Sequence, residues 1–235
     1  ATRPSRAPPT VPGMLLDPGT GPVRAATYLP STPGNVLWGR LPCAADSPVL
    51  TVDPGTEVTV DTLSHEGLLE DQGRDPRAFF GAHGMTDVLA DAVALAASGR
   101  AHDPAVDGQH VVTGPIAVRG AQPGDVLAIT VLETLPRVPY GVVSNRHGRG
   151  ALPGEMPEGG ADVVSVVARL DASGTRAVMP RATGSDRTVS FPLAPFPGIL
   201  GVAVAGDERA HSVPPGAHGG NVDINLMQAG ATLYL

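Results

Sequence analysis

A mainly β fold, built of sandwich or barrel elements with one or two short helices, is what the sequence predicts, on three observations. Glycine and proline number 30 and 25 in a chain of 235 residues, so nearly a quarter of positions break helices or set turns. Short apolar stretches recur between those turn signals, several of them in the alternating pattern of half-buried strands. Only one segment carries apolar residues at helical spacing over more than two turns. A content of 42% hydrophobic and 17% charged residues suits a packed core rather than a disordered chain.

The elements follow in order. Ala1 to Arg24 is rich in Pro, Arg, Thr and Gly without apolar periodicity, and residues 1–48 are assigned to an N-terminal segment that wraps the surface. Residues 49–235 are assigned to one β domain. From Val49 to Leu63, Val49-Leu50-Thr51-Val52, the turn Asp53-Pro54-Gly55 and the alternating Val58 and Val60 predict a hairpin. Val88, Leu89, Ala92, Val93 and Ala96 predict a helix over Thr86 to Ser98, capped by Thr86 and ended by Gly99. Strands are expected at Ile116 to Val118, Val126 to Leu132, Val163 to Leu170, Ile199 to Ala205 and Ala231 to Leu235, with a tight return at Asp171 to Gly174. The apolar Thr232-Leu233-Tyr234-Leu235 reads as a strand continued or covered by polypeptide beyond this sequence, since a bare hydrophobic edge invites aggregation.

Composition also excludes functions. The formal net charge is −7 with Arg scattered, which is no footprint for a phosphate backbone, so nucleic acid is not an expected partner. No apolar run approaches the ~20 residues that cross a bilayer, so no membrane is expected, and the single cysteine, Cys43, forms no internal disulfide; a cytoplasmic location is expected. All 16 basic residues are Arg, so the chain has no lysine. Ser-Ser-Lys and Glu-Lys-Cys amidase chemistries both need a lysine amine, which Arg cannot replace because it holds its proton too tightly. A metal-based or His-based route remains.

Three clusters can carry such chemistry. Ser64-His65-Glu66-Gly67, followed by Glu70, Asp71 and Gln72, lies just after a predicted strand and offers a ligand nitrogen and a carboxylate; the alternative is a solvated acidic turn. The loop His211-Ser212-Val213-Pro214-Pro215-Gly216-Ala217-His218-Gly219-Gly220-Asn221-Val222-Asp223 is better built for close contact, because paired glycines let backbone amides approach a ligand. His218, Asn221 and Asp223 there can supply a metal ligand, a neutral donor and a carboxylate, or else stabilise their own turn. His110, before Val111-Val112-Thr113-Gly114-Pro115, can join a metal site or be a satisfied histidine beside a strand.

The segment from Val49 to the end resembles the acetamidase/formamidase family. Ser212-Val213-Pro214-Pro215-Gly216-Ala217-His218-Gly219-Gly220-Asn221-Val222-Asp223, with Gly230 to Leu235 behind it, is similar to that family's proline-glycine loop before a terminal strand. Thr113-Gly114-Pro115-Ile116 with Gly120-Ala121-Gln122-Pro123-Gly124-Asp125 resembles a second signature, and Pro195-Phe196-Pro197-Gly198-Ile199-Leu200-Gly201-Val202-Ala203 a third. The resemblance implies hydrolysis of a small amide, or opening of a lactam, with a bound divalent metal, often zinc. It implies His218, Asn221 and Asp223 as site residues and, more weakly, His65 and Glu66. The expected metal ligands are His218, His65, Asp223 and His110. Asp223, Asn221 and Glu66 are the expected catalytic groups, and the amides of Gly219 and Gly220 the expected oxyanion donors.

Members of that family continue past the terminal strand into a further segment that this sequence does not contain. A second chain carrying that segment is the expected explanation, and a homo-oligomer the expected assembly. The rival reading is a non-catalytic β-sandwich module that binds a small ligand, or an inactive structural subunit. One tryptophan and 3% aromatics speak against a sugar-stacking surface.

Overall fold

The structure, a computed structural model, describes residues 14–182 and 184–235. The part of the predicted N-terminal segment at residues 1–13 lies outside them. The chain divides into two compact units: residues 136–194 form the body of one, and residues 16–135 with 195–235 form the other. The single β domain expected over 49–235 is therefore interrupted by an inserted unit, which no composition shift marks.

The smaller unit is a four-stranded antiparallel meander of Tyr140–Arg146, Val163–Leu170, Arg176–Pro180 and Thr188–Pro192, paired in that order. The strand Val163–Leu170 and the return at Asp171 match the sequence expectation, and Gly174 N donates to the Asp171 carbonyl at 3.0 Å. Ala168, Leu170 and Ala177 are buried here.

In the larger unit the described strands form five two-stranded pairs. Thr27–Leu29 runs parallel to Val58–Val60, and Leu50–Val52 parallel to Ile116–Val118. Val36–Trp38 is antiparallel to Val111–Thr113, Ala128–Thr130 to Thr232–Tyr234, and Leu200–Gly201 to Gly219–Gly220. The mainly β class with two short helices thus holds. The hairpin expected over Val49 to Leu63 does not form. Its turn exists, with Thr56 N donating to the Asp53 carbonyl at 3.1 Å, but the two strands each pair elsewhere. Turn chemistry is local, whereas strand pairing is chosen by the tertiary neighbours that complete a buried face.

The surface-wrapping assignment of residues 1–48 also needs correction from Thr27 onward. Leu29, Val36, Leu37, Trp38, Leu41 and Cys43 are all buried and belong to the core. The predicted helix is shorter than expected, Ala90–Ala97, with Leu89 at its N-cap and no side-chain cap from Thr86. Val88 and Leu89 are buried before it, outside the helix, so their apolar character reflects core contact and not helical period. A second helix, Pro76–Ala82, starts where Asp75 accepts from Ala78 N at 3.0 Å and Pro76 occupies the first turn, a start signal present in the sequence. Among the described residues no helix is long and apolar enough to cross a membrane.

Candidate active site

Backbone geometry joins two of the three motif segments. Gly219 and Gly220 have φ of +77° and +84°, a region open to glycine at little cost, and they pair with Gly201 and Leu200. A Cβ on Gly201 would fall 2.6 Å from Gly220 N and 2.7 Å from the His218 carbonyl, so only glycine permits this approach. Three residues on, Asp223 N donates to the Gly198 carbonyl at 3.0 Å. Asp223 itself sits at φ 48°, uncommon for a residue with a side chain, and its Oδ1 lies 3.0 Å from where a Cβ on Gly198 would be.

His110 is the centre to which the other groups refer. It immediately precedes the strand Val111–Thr113, and its carbonyl accepts from Gly39 N at 2.9 Å. The Gly39 carbonyl in turn accepts from Gly108 N at 3.0 Å and Ser212 N at 3.1 Å, which ties the segment before His110 to the loop after His211. The His110 Nδ1 then lies 3.1 Å from Ser212 Oγ, and Ser212 is fully buried. The His65 ring meets the His110 ring edge-on, with centroids 5.5 Å apart and planes at 84°.

Burial lowers the His110 pKa to about 4, and the neighbouring His65 and, less, His211 act in the same direction. A hydrogen bond to the Ser212 backbone and the negative charge of Asp223 oppose them. His110 is therefore neutral at physiological pH. The loop near His65, the strand start at His110 and the loop ending at Asp223, distant in sequence, all act on this one imidazole.

The remaining candidates have narrower roles. Glu66 is buried; it accepts from Gln72 Nε2, and its Oε1 is 3.4 Å from His65 Nε2, so it orients these side chains more readily than it serves as a solvent-facing base. Asn221 Nδ2 donates to the Val213 carbonyl at 3.0 Å, which uses one of its two amide protons. Gly219 N donates to the Gly216 carbonyl at 2.9 Å, so its expected role as an oxyanion donor is not open to it. The Gly216–Gly219 bridge consumes that proton because the turn is closed by its own backbone. Gly220 is buried in the ladder opposite Leu200. The His218 ring packs against the backbone of Gly216 and Gly220, where a Cβ would lie 2.7 Å and 3.0 Å from ring atoms, and its Nε2 is buried without a hydrogen-bond partner.

The donor chemistry of His65, His110, His218 and Asp223 suits a divalent cation, but their arrangement does not complete a site for one. Among the described residues no group of three or more His, Cys, Asp or Glu side chains is placed to hold a metal ion. His65 and Asp223 act on the His110 ring, but the four expected ligands do not gather into one group. Two open cavities, of about 450 and 480 Å³, lie elsewhere: one is lined by Arg40, Cys43, Asp46 and Arg209, the other by Arg74, Arg100, His102 and Asp107. Arg209 pairs with Asp46 within the first, and Arg40 of the first pairs with Asp107 of the second.

Sequence reasoning gave no individual role to Ser212, Gly39 or His102. His102 is 2% exposed in its side chain, stacks on Trp38 at 4.6 Å, and bridges Glu70 Oε1 at 3.0 Å and the Gly108 carbonyl at 2.8 Å. Nothing in the sequence pairs these residues; only the fold brings position 102 to positions 38 and 70.

Residues 96–207 match the sequence model of the Acetamidase/Formamidase family. The matched stretch contains the signatures at 113–125 and 195–203, while the loop at 212–223 and the pair His65 and Glu66 lie outside it. The match bears out the family resemblance read from those motifs and supports, in general terms, an amide hydrolase of the acetamidase/formamidase type. No curated protein matches the chain.

Proposed function

We propose that this protein hydrolyses a small amide, or opens a lactam, at the site formed by His110, His65, Asn221 and Asp223. The observation that carries the reading is the meeting of His65 and His110 at 5.5 Å with Asp223 acting on the same ring. An imidazole kept neutral, with a carboxylate that favours its charged form, is equipped to take a proton and return it.

In the proposed reaction His110 accepts a proton from water as the water oxygen attacks the substrate carbonyl. The carbonyl π electrons move onto oxygen, and the second N–H of Asn221 is assigned to that oxyanion. When the tetrahedral species collapses, the C–N bond breaks and the imidazolium returns its proton to the departing nitrogen. An imidazolium of pKa about 4 gives up that proton readily, although the neutral form is then a modest base. A linear amide yields carboxylate and ammonia; a lactam yields the ring-opened amino acid. His65 and Asp223 set the charge balance around the ring.

A divalent metal, zinc first, belongs to the proposal as a separate matter, since the described side chains do not gather its ligands; no step above runs through it. The test is ammonia release from formamide and acetamide, and ring opening of a γ-lactam, by the purified protein, with elemental analysis of the same sample. His110→Ala is expected to lower turnover by about 10²-fold or more. Wild-type activity in His110→Ala, or no turnover of any of these substrates by the wild type, overturns the assignment.

A further inference from the structure

The stretch from Arg100 to Asp103 lines the cavity of about 480 Å³ that Arg74 and Asp107 also border, a volume within the range of small-molecule sites. This wall is held from behind. The His102 side chain, 2% exposed, stacks on Trp38 and bridges Glu70 and the Gly108 carbonyl, while Arg74 Nη2 donates to the Arg100 carbonyl at 3.3 Å. Arg74 is itself committed to Glu70 and lies over the Trp38 ring. Asp107 accepts from Asp103 N and from Arg40 Nε, and these two bonds hold its carboxyl below the usual carboxylate range.

Two groups of opposite charge on the same wall keep bonding capacity. Arg100 Nη2 donates to the Pro33 carbonyl, and Asp103 Oδ1 accepts from Ala105 N at 2.9 Å. Among the described residues neither forms an ion pair, with the other or with a third group. Arg100 therefore retains N–H donors, and Asp103 a carboxylate oxygen, that face no protein partner. A simple anion drawn to Arg100 would be repelled by Asp103 and Asp107, and a simple cation drawn to Asp103 would be repelled by Arg100. A molecule that carries both charges satisfies both ends. The helix Ala90–Ala97 also reaches this cavity through Ala96, and the partial negative charge of a helix C-terminus favours a cation there.

We propose that this cavity binds a small zwitterionic amino acid, with its carboxylate on Arg100 and its ammonium on Asp103. The anchoring of His102 and of the Arg100 carbonyl fixes the backbone between the two charged side chains before a ligand arrives, which lowers the ordering cost of binding. The cavity is separate from the groups around His110, and the proposal does not depend on amide hydrolysis.

The test is titration of the ¹⁵N-labelled chain with glycine, β-alanine and 4-aminobutyrate, read by backbone ¹H–¹⁵N shifts, with butyrate and butylamine as singly charged controls. The expected result is saturable binding of at least one of the three amino acids, with shift changes at residues 99–107 and an affinity at least about tenfold above both controls. Arg100→Gln and Asp103→Asn are each expected to weaken that binding at least about tenfold. Asp103→Asn keeps an oxygen for Ala105 N, so it carries the test if Arg100→Gln, which gives up the bond to Pro33, does not fold. No saturable binding by any of the three, equal binding by a control, or unchanged affinity in a folded variant overturns the proposal. Shift changes confined to His65, His110 and Asp223 place the amino acid at the candidate active site, which overturns the proposal and leaves the proposed function standing. Binding at residues 99–107 by a protein that hydrolyses no amide does the reverse.

Discussion

Acidification should destabilise this protein through one identifiable group, and the size of the effect follows from the environment of His110. Burial, with His65 and His211 nearby, lowers its pKa from 6.5 to about 4, while Ser212 and Asp223 act against the fall. Between these values the unfolded chain binds a proton that the folded state refuses, so stability rises with pH across the window from about 4 to 6.5. Below that window both states are protonated and the penalty is complete; above it both are neutral and the penalty is absent. At about 1.36 kcal/mol per pH unit the full fall corresponds to a little over ~3 kcal/mol. The ring is only partly buried, and solvent screening leaves roughly 1–2 kcal/mol. The assay is urea unfolding at several pH values from 4 to 7, for the wild type and His110→Gln. The substitution changes stability at every pH, so the informative quantity is the difference in slope. The wild type should lose about 1–2 kcal/mol more than the variant on going from pH 7 to pH 4. Parallel curves would refute the assignment of a lowered pKa to His110, and with it the account of a ring kept neutral by burial.

Other outcomes follow from the same geometry. Gly201→Ala would push a methyl group into the backbone at Gly220 and His218, atoms that cannot rotate away, so it should cost about 1–3 kcal/mol and depress amide hydrolysis. Gly141→Ala, where a Cβ meets nothing within 4 Å, is the control and should be close to neutral by thermal melting. His102→Ala removes a stack on Trp38 and leaves the Gly108 carbonyl without its donor, for an expected loss of about 2–4 kcal/mol. Trp38 is the only tryptophan in the chain, so its fluorescence reports that change directly; a loss under about 1 kcal/mol with an unchanged spectrum would contradict it.

How far the sequence reached is clearest at particular residues. The return at Asp171 to Gly174 joins two strands that pair with each other, and it was legible because turn chemistry and alternation are local. The turn at Asp53 to Gly55 was equally legible, yet the strands beside it turned to Ile116–Val118 and Thr27–Leu29. For the candidate site, the motifs pointed to loops that the fold brings near each other: His65 and Asp223 both act on the His110 ring. Their roles were less legible. Gly219 was a plausible oxyanion donor until its N–H was found on Gly216, and Glu66 a plausible base until its burial against Gln72 and His65 was seen.

By itself, the sequence determined the mainly β class, the absence of lysine chemistry and the segments that carry the candidate side chains. Those properties depend on composition and on residues adjacent along the chain. The tertiary structure alone decided which strands pair, that residues 136–194 form their own unit, and that a buried serine 102 positions away meets the His110 ring. Burial and hydrogen bonding between distant segments fix proton positions and pKa values, and neither quantity exists until the chain has folded.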